Sequence, residues 1–217
     1  MDLDEYKRLY EDADTGPGWA AIDARLEALY PGQEPLHYAS RQHASLGGAF
    51  PCDGISVYAS DHGPIPHLHF VSYGMSGLYY LPEIFPQEVS GWGFEFTMRI
   101  KAPASARAKH SWATQVMQNL GRYVVTSEKW FEQYHFLSAK GPIRTDRPTA
   151  LTALAFVEDP ELGTIDTPNG KVQFLQMVGL TTQEFESELP NAGKGIPALL
   201  ERLREGNPLL VTDLART

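Results

Sequence analysis

Apolar residues recur at helical spacing at the start of the chain. Leu3, Tyr6 and Tyr10 share one helix face, and the pattern breaks between Asp12 and Gly18, where Gly16-Pro17-Gly18 intervenes. Trp19, Ile22, Leu26 and Leu29 form a second stripe, stopped by Tyr30-Pro31-Gly32. Residues 32–66 are rich in Gly and Pro and offer one short strand candidate, Ile55–Tyr58. Strand signals then dominate to position 101. In the clearest of them, Phe94, Phe96, Met98 and Ile100 alternate with Glu95, Thr97, Arg99 and Lys101. Successive strand side chains point to opposite faces, so this run predicts one apolar and one wet face. An antiparallel sheet covered on one side is expected, not a doubly wound parallel sheet.

Residues 103–109 read as a loop of small residues. Ser111 is placed to cap a helix that buries Trp112, Val116, Leu120 and Tyr123. After a loop over 141–148, residues 150–157 read as a buried strand. Turns at Asp159-Pro160 and Thr167-Pro168-Asn169-Gly170 lead to a second strand over 172–178, expected to pair with the first. Thr181 with Glu184 fits a capping box opening a helix that carries Phe185 and Leu189. Ile196, Leu199, Leu200 and Leu203 mark one more amphipathic helix, closed by Gly206-Asn207-Pro208. With no internal repeat, low-complexity tract or linker, residues 1–217 are expected to form a single α+β domain.

Composition narrows the function classes. A chain of 217 residues with 42% hydrophobic and 21% charged positions is ordinary globular material. Its size suffices to bury roughly 70% of the unfolded surface without disulfide or structural metal. The 27 acidic and 18 basic residues give a net charge of -9. That field opposes nucleic acid, whose binding draws on Lys and Arg neutralising phosphates, and favours a basic partner. Cys52 is the only cysteine, which excludes an internal disulfide and a thiolate-rich zinc site and predicts a small buried apolar residue. The acidic start Met1-Asp2-Leu3-Asp4-Glu5 carries no secretory pattern, and no stretch approaches the roughly 18 apolar residues of a membrane span. A cytoplasmic protein without membrane contact is expected.

Two histidines one residue apart, His67 and His69, would project from the same strand face, their Cα atoms about 6.7 Å apart. Such a pair can face one zinc or iron ion, with Glu83, Glu95 or His135 as the third ligand. None of these has motif spacing, so structural or interface histidines are the preferred reading and a metal-dependent enzyme is the alternative. Glu95 reads as a solvated or salt-bridged strand residue, with a role in positioning a neighbouring His or backbone amide as the second option. Gly74-Met75-Ser76-Gly77 lacks the spacing of a nucleophile elbow. Gly91-Trp92-Gly93 is too short for a dinucleotide fingerprint and is expected to permit a bulge or close backbone packing. Tyr73, Tyr79, Tyr80 and Trp92 cluster around turns and strand ends, and side chains of this type often anchor protein interfaces.

These residues together resemble the Suppressor of fused family. The resemblance rests on Pro17–Asp23, Leu29–Tyr38, Leu46-Gly47-Gly48, Asp53–Tyr58, His67–Gly74 and Gly91–Thr97. It continues through Gly121–Val124, Thr167–Gly170, Phe174–Gly179 and Leu209–Leu214, in that order. The resemblance implies an α+β fold with a central, mostly antiparallel sheet flanked by helices. It also implies a non-enzymatic protein-binding module without a cofactor. In animals such proteins restrain Hedgehog signalling by clamping an extended Gli segment between two lobes as an added strand. Some bacterial relatives are thought to be immunity proteins that neutralise toxins. This chain matches one lobe, so the second jaw is expected to be absent and a bacterial setting is implied. Tyr79 matches the family tyrosine that helps hold the Gli segment, and Glu88 falls where its acidic companion is expected. The expected binding surface is thus a strand edge and aromatic patch at Tyr73, Tyr79, Glu88 and Trp92. The expected partner is an extended peptide segment or a toxin-type protein. A regulatory module that simply dimerises is the third reading.

Overall fold

A computed structural model describes residues 1–41, 48 and 50–217, so Leu46-Gly47 of the sequence motif lies outside the described residues. Asp2 caps α1 (Leu3–Tyr10) by accepting from the Glu5 amide at 2.8 Å. Pro17, whose missing N–H costs nothing in a first turn, opens α2 (Pro17–Leu29). The strands are β1 (Leu36–Ala39), β2 (Gly54–Ser60), β3 (His67–Tyr73), β4 (Val89–Lys101), β5 (Phe136–Ser138), β6 (Leu151–Glu158), β7 (Thr164–Thr167) and β8 (Gly170–Thr181). They form one sheet in the order β1-β2-β3-β4-β8-β6-β5, with β7 folded as a hairpin onto β8. Every pairing is antiparallel except β4 with β8. The mostly antiparallel α+β architecture is as expected, including the pairing of β6 with β8.

The sheet is covered on both faces, which corrects the expectation of a wet side. On one face α3 (Trp112–Ser127) covers Leu68, Phe70, Phe96, Met98, Leu154, Phe156, Leu175 and Met177. On the other, Ile22 and Leu26 of α2 pack on Val71, Tyr73 and Phe174. Farther along that second face, α5 (Ile196–Arg204) packs Ile196, Leu199 and Leu200 on Ala153, Ala155, Val178 and Leu180. The short α4 (Thr182–Glu188) begins with the expected capping box between Thr181 and Glu184. Helix α3 is turned about one residue from the expected face. Ala113, Met117, Gly121 and Val124 are buried, while Tyr123 is 46% exposed. Gly121 explains this, because a Cβ there would stand 3.2 Å from Met75 Sδ and 3.3 Å from Pro51 Cβ. A side chain there would force these neighbours to give by a few tenths of an ångström. Ser111 adopts helical backbone angles and makes no capping bond.

Candidate functional site

The segment between β3 and β4 hangs off the centre of the sheet and is tied down from below. Glu95 is fully buried on β4 and accepts five hydrogen bonds from one turn. They come from the amides of Gly74 (2.9 Å), Met75 (3.3 Å) and Ser76 (2.9 Å) and the hydroxyls of Ser72 (2.5 Å) and Ser76 (2.7 Å). Burial outweighs these donors and pushes the carboxyl up to about 7. The reading of Glu95 as a solvated residue is therefore corrected, and the amide-positioning role is the one observed. Ser76 spends its hydroxyl on this cage.

Further straps hold the next residues. Ser90 Oγ receives the Gly77 amide at 3.0 Å, and Asn169 donates to the carbonyls of Gly77 (2.8 Å) and Tyr79 (2.9 Å). Tyr6 donates to Asn169 at 2.7 Å, receives the Leu81 amide at 3.2 Å, and stacks on Tyr80 and Phe85 at 5.2 and 4.5 Å. Gly91 (φ 56°) and Gly93 (φ 84°) take backbone angles that favour glycine, and the β4–β8 register shifts between Val89 and Phe94. A Cβ at Gly91 would lie 2.8 Å from the Gly77 amide nitrogen. The bulge and close packing expected of Gly91-Trp92-Gly93 are both present.

This bracing presents apolar side chains to solvent. Leu81, Ile84 and Val89 are 45%, 51% and 47% exposed. With Tyr6, Phe85 and Glu88 they line a cavity of about 390 Å³. Glu88 is exposed at its rim, and its carbonyl accepts from the Lys171 amide at 3.0 Å. Tyr79 is half-buried, its hydroxyl donating to Asp53 at 2.8 Å. Trp92 is half-buried against the α3-side core. Tyr73 departs from the expected surface. It is 1% exposed, stacks on Trp19 at 4.6 Å and donates to Asp23 at 2.8 Å, which makes it a core support. The expectation missed Leu81, Ile84, Val89 and Asn169. The run Leu81-Pro82-Glu83-Ile84-Phe85-Pro86, apolar yet unable to continue a strand, was the signal available for the first two.

The histidine pair has a different use. His69 is fully buried, with the Tyr30 hydroxyl at 2.8 Å from Nδ1 and Asp159 at 3.1 Å from Nε2. Asp159 also takes Arg99 through both oxygens (2.5 and 3.0 Å), the Thr97 hydroxyl (2.7 Å) and the amides of Glu161 and Leu162. Gln176 on β8 also accepts from Arg99 and lies on one face between Phe174 and Val178. The charged cluster thus forms a polar seam between the α2 and α5 contacts. Burial and the adjacent Arg99 push His69 down to about 4, while Arg99 and His69 hold Asp159 well below the ordinary carboxylate range despite its burial. The His67 ring meets the Ile65 carbonyl at 2.8 Å.

The metal alternative gains no support from this geometry. Both nitrogens of His69 are taken, and Glu95 is committed to its cage. Glu83 is exposed on a surface turn, and His135 sits half-exposed beside Glu132 on the turn before β5. Among the described residues no three His, Cys, Asp or Glu side chains are placed to hold an ion. No helix among them is long and apolar enough to cross a membrane.

Comparison with known proteins follows the same lines. The family model described as Suppressor of fused protein (SUFU) matches residues 48–217. The Suppressor of fused homologs of Homo sapiens and Mus musculus are each 35% identical over 209 residues, covering 92% of this chain and 43% of theirs. The chain therefore spans less than half the length of the curated relatives it matches. Among solved structures, a chain of the Sufu–Fu complex superposes with a TM-score of 0.83 at 29% identity, covering 94% of this chain and 92% of that one. Drosophila Suppressor of Fused gives 0.79 at 29% identity, covering 94% of this chain and 51% of that one. A protein described as a SUFU homolog from Neisseria gonorrhoeae shares the fold, with a TM-score of 0.60 at 12% identity over 92% of this chain and 95% of that one.

Proposed function

This chain belongs to the Suppressor of fused family, and from that premise we propose that it is a non-enzymatic protein-binding module whose braced β3–β4 segment grips another polypeptide. The observation that carries the reading is the platform itself. Leu81, Ile84 and Val89 stand exposed around a cavity while the backbone leading into them, from Gly74 to Tyr79, is held by Glu95, Ser90 and Asn169. A surface fixed before contact loses less entropy on binding, and exposed aliphatic side chains around a hollow suit an apolar anchor from a partner. Glu88 supplies the acidic rim, while Tyr79 and Trp92, half-buried against the α2-side and α3-side cores, extend the proposed contact beyond the cavity, and Tyr73 supports it from within.

The finer reading places the protein in a bacterial cytoplasm as an immunity or regulatory protein that sequesters an extended segment or a toxin-type partner. The net charge of -9 supports a basic partner. The structure solved as a Sufu–Fu complex, at 29% identity, is an instance of a similar chain found in a complex.

The test is affinity capture from native extract with wild type, Ile84→Asp and Glu88→Lys in parallel. Both variants alter exposed side chains and leave the straps intact. A stoichiometric protein retained by wild type and lost by Ile84→Asp is the expected result. Equal capture by all three, or none by wild type, overturns the reading. Co-expression with any toxin-like product of an adjacent reading frame tests the immunity role, which requires rescue by wild type and not by Ile84→Asp.

A further inference from the structure

A second surface lies at the other end of the sheet. Among the described residues strand β5 is an end strand, paired with β6 alone. Its hydrogen bonds fix which backbone groups are free to pair again. The His135 carbonyl accepts from Phe156, and the Ala139 amide donates to Thr152, so alternate residues face β6. By that alternation the N–H and C=O groups of Phe136 and Ser138 point to the open side.

Beside this edge runs a groove of about 630 Å³ with an aromatic lining. Trp130, Tyr123 and Tyr134 are 54%, 46% and 40% exposed, a concentration of ring surface found nowhere else among the described residues. Phe131 forms its floor, stacked on Phe156 at 4.3 Å. Three of the five described non-glycine residues with positive φ, Tyr134, Lys140 and Ala192, also line it. Backbone held in that region costs energy, and such strain concentrates at working surfaces.

Charge identifies the occupant. Although the chain carries 27 acidic residues, no carboxylate lines the groove, whereas Lys129 and Lys140 do. The nearby Glu132 is occupied, receiving Trp130 Nε1 at 3.2 Å and facing His135 at 3.7 Å. We propose that the β5 edge and its aromatic groove bind an extended segment of a partner polypeptide whose apolar residues alternate with acidic ones. The segment adds to the sheet as a strand, its apolar side chains lie on the rings, and its carboxylates meet Lys129 and Lys140. This goes beyond the β3–β4 platform. Phe136 lies level with Arg99 on β4 by register, eight residues from Gly91 and three strands across, so the two surfaces are roughly 30 Å apart.

The probe is a capped decapeptide alternating Val or Ile with Glu or Asp, compared with the same peptide carrying Lys in place of the acids. In titrations followed by amide NMR, the acidic peptide is expected to shift the Phe136 and Ser138 amides saturably and slow their hydrogen exchange. The Lys peptide is expected to bind about tenfold more weakly. Ser138→Pro removes one outward N–H without touching the β6 ladder and is expected to bind about tenfold more weakly than Ser138→Ala, which equally loses the hydroxyl that accepts from the Lys140 amide at 3.0 Å but keeps the outward N–H. Lys129→Glu with Lys140→Glu should reverse the peptide preference. The proposal is overturned if neither peptide perturbs β5, if both bind alike, or if Ser138→Pro and Ser138→Ala bind equally. It also fails if sedimentation shows that a second copy of the chain covers this edge. Ile84→Asp, which tests the platform, is expected to leave this binding unchanged, so the two readings fail separately.

Discussion

Replacing Glu95 by Gln tests the account of the platform most directly. The carboxyl is pushed from an ordinary value of 4.5 up to about 7 by burial, against the pull of its five donors. A folded-state value above the unfolded one means that the native protein holds its proton longer. Below about pH 4.5 both states are protonated and the contribution of Glu95 is complete. As pH rises to about 7 the unfolded chain ionises first, and stability falls by about 3 kcal/mol at 1.36 kcal/mol per unit. Gln mimics the protonated acid. Its carbonyl can accept from Gly74 and Ser76, and its amide can donate to a rotated Ser72 hydroxyl. Only the long 3.3 Å bond from the Met75 amide is lost. Glu95→Gln is therefore expected to match wild type within about 1 kcal/mol near pH 4 and to exceed it by about 2–3 kcal/mol at about pH 8. Urea melts of both proteins across that range measure the difference, and subtraction removes every other titrating group. Should the Gln variant instead lose stability relative to wild type as pH rises, the five donors hold the carboxylate ionised and the reasoning is wrong.

Arg99→Met strands the Asp159 carboxylate in the seam and is expected to cost about 3–5 kcal/mol, part of which returns when Asp159→Asn is added. Denaturant melts showing a cost below about 1 kcal/mol would contradict a paired buried charge. Gly91→Ala and Gly206→Ala both place a side chain at positive φ, but only Gly91 faces backbone at 2.8 Å, whereas Gly206 has nothing within 4 Å. The first is expected to cost at least about 2 kcal/mol more and to open residues 74–88 to proteolysis, and equal melting points would refute the close packing.

How far the sequence could be read depended on the length and regularity of each signal. Both N-terminal helices, the capping box at Thr181 and the pairing of β6 with β8 were legible because long runs kept their period. Strands β1, β5 and β7 span four, three and four residues, too short for alternation to register. The wet face assigned to β4 failed for a different reason. Glu95, Thr97 and Arg99 are polar, and polarity in a strand normally reports solvent. Here it reports partners supplied by Ser72, Asp159 and Gln176, up to 77 residues away in the chain. The same blindness affected Tyr73, whose hydroxyl satisfied by Asp23 makes burial compatible with a polar tip.

Those buried partners also bear on how the molecule responds to acid. His69, pushed from 6.5 down to about 4, carries the opposite sign to Glu95. Its contribution is complete above about pH 6.5 and is lost as pH falls toward 4, because the unfolded chain takes up the proton first. Between about pH 4.5 and 6.5 one term falls as the other rises by a similar amount, so these two together leave global stability nearly level, and His37, His67 and His110, also pushed down by burial, add the loss that remains on acidification. The local consequence is not level. The His69 proton acts on the seam among β3, β4 and β8, whereas the Glu95 proton acts on the turn that carries the platform. Acidification therefore redistributes stability within the fold, firming the β3–β4 segment while loosening the seam. Hydrogen exchange at Gly74, Met75 and Ser76, set against exchange at Glu161 and Leu162, reads the two directions separately where a single unfolding curve cannot.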